Sequence, residues 1–277
     1  MIIQKNKLMW NSKPYIMGVV NVTPDSFSGD GIMGNNEGFL NLGFEKALGM
    51  EKDGADIIDV GGESTRPKHI YQGAQSISAN EEMERVLPLL EKLKNNLAIP
   101  ISIDTQKGVV AKYALQSGAK IINDVSMMSD DVMVETLIKY KPIYILSHHR
   151  KTKHSTDIIN DIYLDLDEKI QFLLSKNFPM ENIIIDPGIG FGKNSEQSFY
   201  IIKNLKKLIS RFNIPLMIGT SKKSFLENIT GETLDNRDIG TYISNFFSLL
   251  NGSYIVRVHD VMNTKKIVDF YKQIEKI

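Results

Sequence analysis

A single (β/α)8 TIM barrel of the α/β class is the fold this sequence predicts, and three observations predict it. Eight short apolar runs alternate with eight stretches whose apolar residues recur at helical spacing. Several runs, such as Ile183-Ile184-Ile185, are apolar without a break, as parallel strands buried on both faces are. No Pro-, Gly- or Ser-rich linker divides the 277 residues, so one domain over 1–277 is expected, with 1–14 as an N-terminal hairpin extension. A doubly wound open sheet is the alternative.

Ile2-Ile3 and Leu8-Met9-Trp10 flank Lys5-Asn6-Lys7 and read as the hairpin. The first barrel strand runs from Tyr15 to Val20 and ends at Asn21. A polar loop from Thr23 to Gly31 follows, too long for a simple turn. Phe39, Leu40, Phe44, Ala47 and Leu48 then place a helix from Glu37 to Lys52. The second strand, Asp56 to Val60, opens into Gly61-Gly62-Glu63-Ser64-Thr65-Arg66-Pro67 and a polar run to Ala79. A helix from Asn80 carries Met83, Val86, Leu87, Leu90 and Leu93.

The third strand is Ile99 to Ile103 with Asp104 at its tip, and Gly118 closes the Lys107–Gln116 helix behind it. The fourth, Lys120 to Ile122, ends in Asn123 and Asp124 before a helix from Asp130 to Tyr140. The fifth, Pro142 to Leu146, opens into Ser147-His148-His149-Arg150, with a long helix from Asp157 to Lys176 after it. The sixth is Ile183 to Asp186, and Ser195 is placed to cap a helix carrying Phe199, Ile202 and Leu205. The seventh, Pro215 to Ile218, leads into Gly219-Thr220-Ser221-Lys222-Lys223-Ser224-Phe225 and a helix from Arg237 to Leu250. The eighth is Tyr254 to Val258, with His259-Asp260 opening the last helix.

Composition narrows the function. Hydrophobic residues at 42% supply a full core. The 33 Lys+Arg and 33 Asp+Glu cancel, which leaves no general basic footprint for nucleic acid. Without cysteine there is no disulfide, Cys-ligated zinc, iron–sulfur cluster or thiol nucleophile. No stretch approaches the roughly 18 apolar residues of a membrane span, and Met1–Trp10 has no signal-peptide pattern. The expected setting is the cytoplasm, with neither nucleic acid nor membrane as partner.

The repeated ending carries the chemistry. One Asp after a strand is as readily a helix cap or turn residue. Asp59, Asp104, Asn123-Asp124 and Asp186 all close apolar runs, and strands of one barrel bring their tips to a common mouth. Gly188-Ile189-Gly190-Phe191-Gly192-Lys193 is not a nucleotide loop: Pro187 and Asn194 stand where a P-loop needs Gly and Ser/Thr. The Gly219–Ser224 run, with glycine, hydroxyls and two lysines before a helix start, reads as an anion loop or, alternatively, as a capped helix start with solvated lysines. Arg257 and His259 alternate, so both face one side of the eighth strand, in the corner where such barrels hold phosphate. His148 and His149 are neighbours that point apart, which argues against a metal pair. Carboxylates on one side suit a heterocycle with adjacent N–H donors, and the cationic side suits a phosphate or diphosphate.

Met17-Gly18-Val19-Val20-Asn21-Val22-Thr23-Pro24-Asp25-Ser26-Phe27-Ser28 resembles the opening signature of the dihydropteroate synthases. Gly54–Pro67 is similar to the second. Ile101–Asp104, Ile122–Val125, Asp186–Lys193, Lys222–Phe225 and Arg257–Val261 follow in the family's order. The resemblance implies condensation of 6-hydroxymethyl-7,8-dihydropterin diphosphate with p-aminobenzoate, giving 7,8-dihydropteroate and pyrophosphate in folate biosynthesis. It places Asp104, Asn123, Asp186 and Lys223 on the pterin, with Asp104, Asp186 and Lys223 as catalytic groups. It places Asn21, Arg257 and His259 on the diphosphate, with Mg²⁺ near Asn21, and counts Gly219 of the seventh loop among the substrate-binding residues. It gives Thr65, Arg66, Pro67, Phe191 and Ser224 to p-aminobenzoate, and implies a homodimer and a sulfonamide target.

Departures from the family pattern are Lys222 where Arg is usual, Lys68-His69 where Gly-Ala is common, and Leu146-Ser147-His148-His149 where Met-His-Met is typical. A corrinoid-linked methyltransferase domain and a non-catalytic pterin-binding protein are the alternatives. The first does not account for Thr65-Arg66-Pro67 together with Lys222-Lys223-Ser224-Phe225, and the second has no reason to keep the diphosphate corner of Arg257 and His259. The two early loops, 23–31 and 64–79, are expected to order only when ligands are present, with p-aminobenzoate binding tightly after the pterin and diphosphate.

Overall fold

The computed structural model describes residues 2–4, 7–9, 14–23, 36–63, 77–150, 156–227 and 237–276. Strands β1 (Ile2–Gln4) and β2 (Lys7–Met9) pair antiparallel as the hairpin. The barrel strands are β3 (Tyr15–Asn21), β4 (Ile57–Gly61), β5 (Ile101–Asp104), β6 (Ile121–Asp124), β7 (Ile143–Ser147), β8 (Ile183–Asp186), β9 (Met217–Ile218) and β10 (Ile255–Val258). All are parallel to their neighbours in the order β8-β7-β6-β5-β4-β3-β10-β9. A bridge between Ile185 and Leu216 brings β8 against β9 and closes the ring at one point. The result is the barrel, not the open sheet, and each strand lies within two residues of its expected place.

Among the described residues the helices are α1 (Asn36–Lys52), α2 (Ala79–Lys94), α3 (Gly108–Gln116), α4 (Asp131–Tyr140), α5 (Ile158–Ser175), α6 (Ser195–Lys203), α7 (Leu205–Phe212), α8 (Asp238–Leu250) and α9 (Val261–Ile274). The sixth crossover differs from expectation in two ways. Asn194, not Ser195, caps α6, its side chain accepting from the Gln197 N–H while Gln197 reaches back to the Asn194 N–H. Leu205 belongs to a separate helix, because Asn204 takes φ −111° and ψ 17° and ends α6. The seventh loop opens into a three-residue 3-10 turn, Ser224–Leu226, in place of the expected helix start.

Strand alternation sorts the core into two layers. Tyr15, Met17, Ile57, Ile121, Ile143, Ile145, Ile184, Met217 and Ile255 point inward and fill the barrel floor. Residues of the opposite parity, among them Ile16, Val20, Ile58, Ile103, Ile122, Ile185 and Val256, pack outward against the helices. Beside the mouth, α3 and α4 touch through bare backbone. A Cβ on Gly108 would lie 1.9 Å from the Met133 nitrogen. Its N–H donates to Asp130 and its carbonyl accepts from Thr136.

Candidate active site

One inward step beyond the floor, every barrel strand except β3 and β9 turns polar. Asp59 follows Ile57, Asn123 follows Ile121, Ser147 follows Ile145, Asp186 follows Ile184 and Arg257 follows Ile255, while β5 contributes Ser102 and Asp104. The same alternation puts Asp124 on the outside. There its oxygens accept from Ser126, Met128 and the Tyr144 hydroxyl, so it shapes a loop and is not part of the mouth.

Arg257 sits at the centre. Its Nε donates to Asp59 Oδ2 and its Nη2 to Asp104 Oδ2, each at 2.6 Å, and Asn123 Nδ2 donates to Asp59 Oδ2 at 3.0 Å. Asp59 and Asp104 are 0% and 4% exposed. Asp59 Oδ1, Asp104 Oδ1, Asn123 Oδ1 and Ser102 Oγ have no hydrogen-bond partner among the described residues. Buried acceptors left this way are costly, and three on the adjacent strands β4, β5 and β6 suit donors brought by a ligand. Burial pushes the Asp104 carboxyl up to about 7; Arg257 pulls it back and the Asp59 charge adds to the rise. Burial opposes the Arg257 charge, yet Asp59 and Asp104 hold it above its ordinary value.

A second wall comes from β7, β8 and the loops that follow. Asp186 Oδ1 accepts from the Gly188 N–H at 2.8 Å and Oδ2 from Ser147 Oγ at 3.4 Å. Gly188 has φ +68° and a Cβ there would fall 2.0 Å from the His148 carbonyl oxygen, so no other residue fits. Lys223 donates to the Ile189 carbonyl and lies 4.6 Å from the centre of the Phe191 ring. Burial lowers Lys223 to about 8, with Asp186 raising it and Arg257 lowering it further.

The seventh and eighth loops meet where Ser221 Oγ lies 3.0 Å from His259 Nδ1 and accepts from the His259 N–H. The two lysines of the expected anion loop diverge. Lys222 adopts φ 56°, donates its N–H to Thr241 Oγ1, accepts from Arg237 at its carbonyl and pairs with Asp238 at 3.5 Å. Lys223 alone enters the barrel, with Ser224 opening the 3-10 turn beside it. Gly219 lines the same corner: a Cβ there would stand in ordinary contact, 3.9 Å, with Arg257 Cβ and Lys223 Nζ. His148 turns Nδ1 to Lys193 and Nε2 to Asp165, while His149 stacks on Phe191 at 6.2 Å.

Asn21 ends β3 with its Oδ1 3.3 Å from where a Gly61 Cβ would stand, and Asp104 flanks the same cradle. Among the described residues no group of three His, Asp or Glu is arranged to hold a metal ion. Thr65, Arg66 and Pro67 lie outside the described residues, as do 24–31 and 64–76. The root of the second loop is described: Lys107 pairs with Glu63 and Glu82, and Arg85 donates to the Gly62 carbonyl at 3.0 Å. Asp59 is the site residue that strand reading noticed without assigning. Its signal is the inward sequence Ile57, Asp59, Gly61, which carries the acid one step deeper than a strand tip.

Residues 17–259 match the family described as pterin binding enzyme. The chain is 37% identical over 256 residues to the dihydropteroate synthase of Clostridium beijerinckii, covering 92% of this chain and 91% of that one. Among solved structures, the dihydropteroate synthase of Clostridium difficile in the presence of pteroic acid superposes with a TM-score of 0.89 at 36% identity, covering 96% of this chain and 99% of that one. The Xanthomonas albilineans dihydropteroate synthase with 4-aminobenzoic acid gives a TM-score of 0.89 at 30% identity, covering 96% and 94%.

Proposed function

The chain belongs to the dihydropteroate synthases, transferases of folate biosynthesis within the pterin binding enzymes, and from that premise we propose how this barrel mouth performs the reaction. The CH₂–O bond of 6-hydroxymethyl-7,8-dihydropterin diphosphate breaks, pyrophosphate leaves with the bonding pair, and the amine of p-aminobenzoate forms the new C–N bond and then loses a proton. The observation that carries the reading is the set of buried acceptors around Arg257, Asp59 Oδ1, Asp104 Oδ1 and Asn123 Oδ1, which suits the adjacent N–H groups of a pterin. Asp104, Asn123, Asp186 and Lys223 hold that ring, and Asp59 joins them.

As the C–O bond stretches, positive charge spreads into the pterin, and Asp104 and Asp186 stabilise it. Arg257 uses two of its N–H donors on Asp59 and Asp104. Its remaining donors, with Asn21, His259 and the Gly219 corner, face the diphosphate. Asn21 Oδ1 would hold a Mg²⁺ ion whose other ligands would be water and phosphate, and the ion would supply charge to neutralise the departing pyrophosphate. Phe191 and Ser224, with Thr65, Arg66 and Pro67, hold p-aminobenzoate. The amine is nucleophilic as it stands, so no strong base is required.

The proposal covers assembly and setting too. A homodimer is supported by Ile239, Ile243 and Phe247, exposed at four-residue spacing on α8, with Phe270 exposed on α9. The chain acts as one domain, with the hairpin as an extension, in the cytoplasm. The test is pyrophosphate release by the purified chain. It is expected only when both substrates and Mg²⁺ are present. Release from the pterin diphosphate at the same rate without p-aminobenzoate would refute the transferase reading.

A further inference from the structure

Lys193 ends the Gly-Phe-Gly-Lys run and, having no phosphate to bind there, invites description as a surface lysine. It is 8% exposed. Its Nζ lies 3.0 Å from His148 Nδ1, 3.0 Å from the Gly188 carbonyl oxygen and 3.0 Å from that of Phe191. The His148 carbonyl oxygen is a fourth neighbour at 3.4 Å. The other ring nitrogen, Nε2, lies 2.9 Å from Asp165 Oδ2; with Nδ1 accepting from a Lys193 ammonium, Nε2 carries the ring proton. Asp165 is in turn fixed by Arg150, at 2.6 Å and 2.7 Å. A strut thus runs from α5 through the end of β7 into the loop after β8.

What the strut holds is specific. The carbonyls of Gly188 and Phe191 turn toward Lys193, while the Ile189 carbonyl between them turns to Lys223. The Phe191 N–H closes the turn on the Gly188 oxygen at 3.0 Å. That turn sets the Phe191 ring beside both Lys223 and His149. Nothing else among the described contacts fixes the Phe191 carbonyl.

We propose that Lys193 is a positioning residue of the reaction, holding Phe191 as the wall for the aromatic amine and being oriented itself by His148 and Asp165. The inference rests on reading the mouth as the synthase site. The unpartnered acceptors of Asp59, Asp104 and Asn123 stand on strands away from this loop, and only Asp186 and Lys223 touch it, through Gly188 and Ile189, so the aromatic amine should respond more than the pterin.

The experiment compares the unsubstituted chain with Lys193→Met and Asp165→Asn in steady-state kinetics, with hydrogen exchange of the Phe191 amide as a readout independent of turnover. Lys193→Met is expected to raise KM for p-aminobenzoate about tenfold, as removal of an outer support does, with KM for the pterin diphosphate within about twofold. The Phe191 amide is expected to exchange faster. Asp165→Asn, remote from both substrates, is expected to raise the same KM about threefold; it decides the matter if Lys193→Met does not fold. Unchanged KM values with kcat lowered only by the unfolded fraction would overturn the proposal, because a merely structural lysine would do that. If the unsubstituted chain releases no pyrophosphate, the functional reading fails alone, and the Phe191 exchange rate decides the strut.

Discussion

The floor and the mouth of the barrel stand on the same strands, one inward step apart, and they reach stability by different routes. At the floor nine apolar side chains, from Tyr15 to Ile255, fill the space against one another. At the mouth Arg257 bonds both Asp59 and Asp104 while acceptor atoms are left over. The floor is satisfied within itself, whereas the mouth keeps buried acceptors with no partner among the described residues.

The largest break in that contrast comes from Arg257→Met. Two buried carboxylates lose their counter-charge, and about 3–5 kcal/mol of stability should go with it, together with activity. Chemical denaturation checks the first loss and pyrophosphate release the second. Asp186→Asn acts on the ligand more than on the fold. Pterin affinity should fall by about 2 kcal/mol as a charged acceptor becomes neutral, and titration calorimetry with a pterin would show it; unchanged affinity removes Asp186 from the site.

Asp104 sharpens the contrast through pH. Its folded carboxyl titrates at about 7 against an ordinary 3.8, so between those values the folded chain keeps a proton the unfolded chain has released. Stability from this group is full below about pH 4 and falls as pH rises toward 7, by at most about 1.4 kcal/mol per pH unit. Denaturation across that range should show the slope, and Asp104→Asn should remove it. The smallest effect belongs to the floor: Ile184→Val should cost about 1 kcal/mol by denaturant midpoint and leave both KM values unchanged.

Strands and mouth were legible in the sequence because both follow from a period of two. An Ile run ending in Asp places its acid by counting, and Asp104, Asn123 and Asp186 emerged that way. Counting also separates Asn123 from Asp124, one inside the barrel and one outside, though adjacent residues look alike in a list of strand tips. Helix breaks were less legible. The end of α6 turns on one Asn with non-helical angles, inside an apolar pattern that continues through Leu205. Lys222 and Lys223 are alike in composition, and only the left-handed backbone at Lys222 sends them apart. Lys193 was beyond reach, since its acceptors come from His148, Gly188 and Phe191 and no local spacing announces them.

Gly108 has a consequence of another kind. Its absent side chain lets the first turn of α3 lie on the Val132–Met133 backbone at the start of α4, beside the strands that end in Asp104 and Asn123. Backbone cannot repack as side chains do, so even one methyl group would pry the two helices apart at that point. The alphabet available at position 108 therefore has a single letter. A residue with no functional group, touching no substrate, stands under as tight a veto as any carboxylate in the barrel mouth.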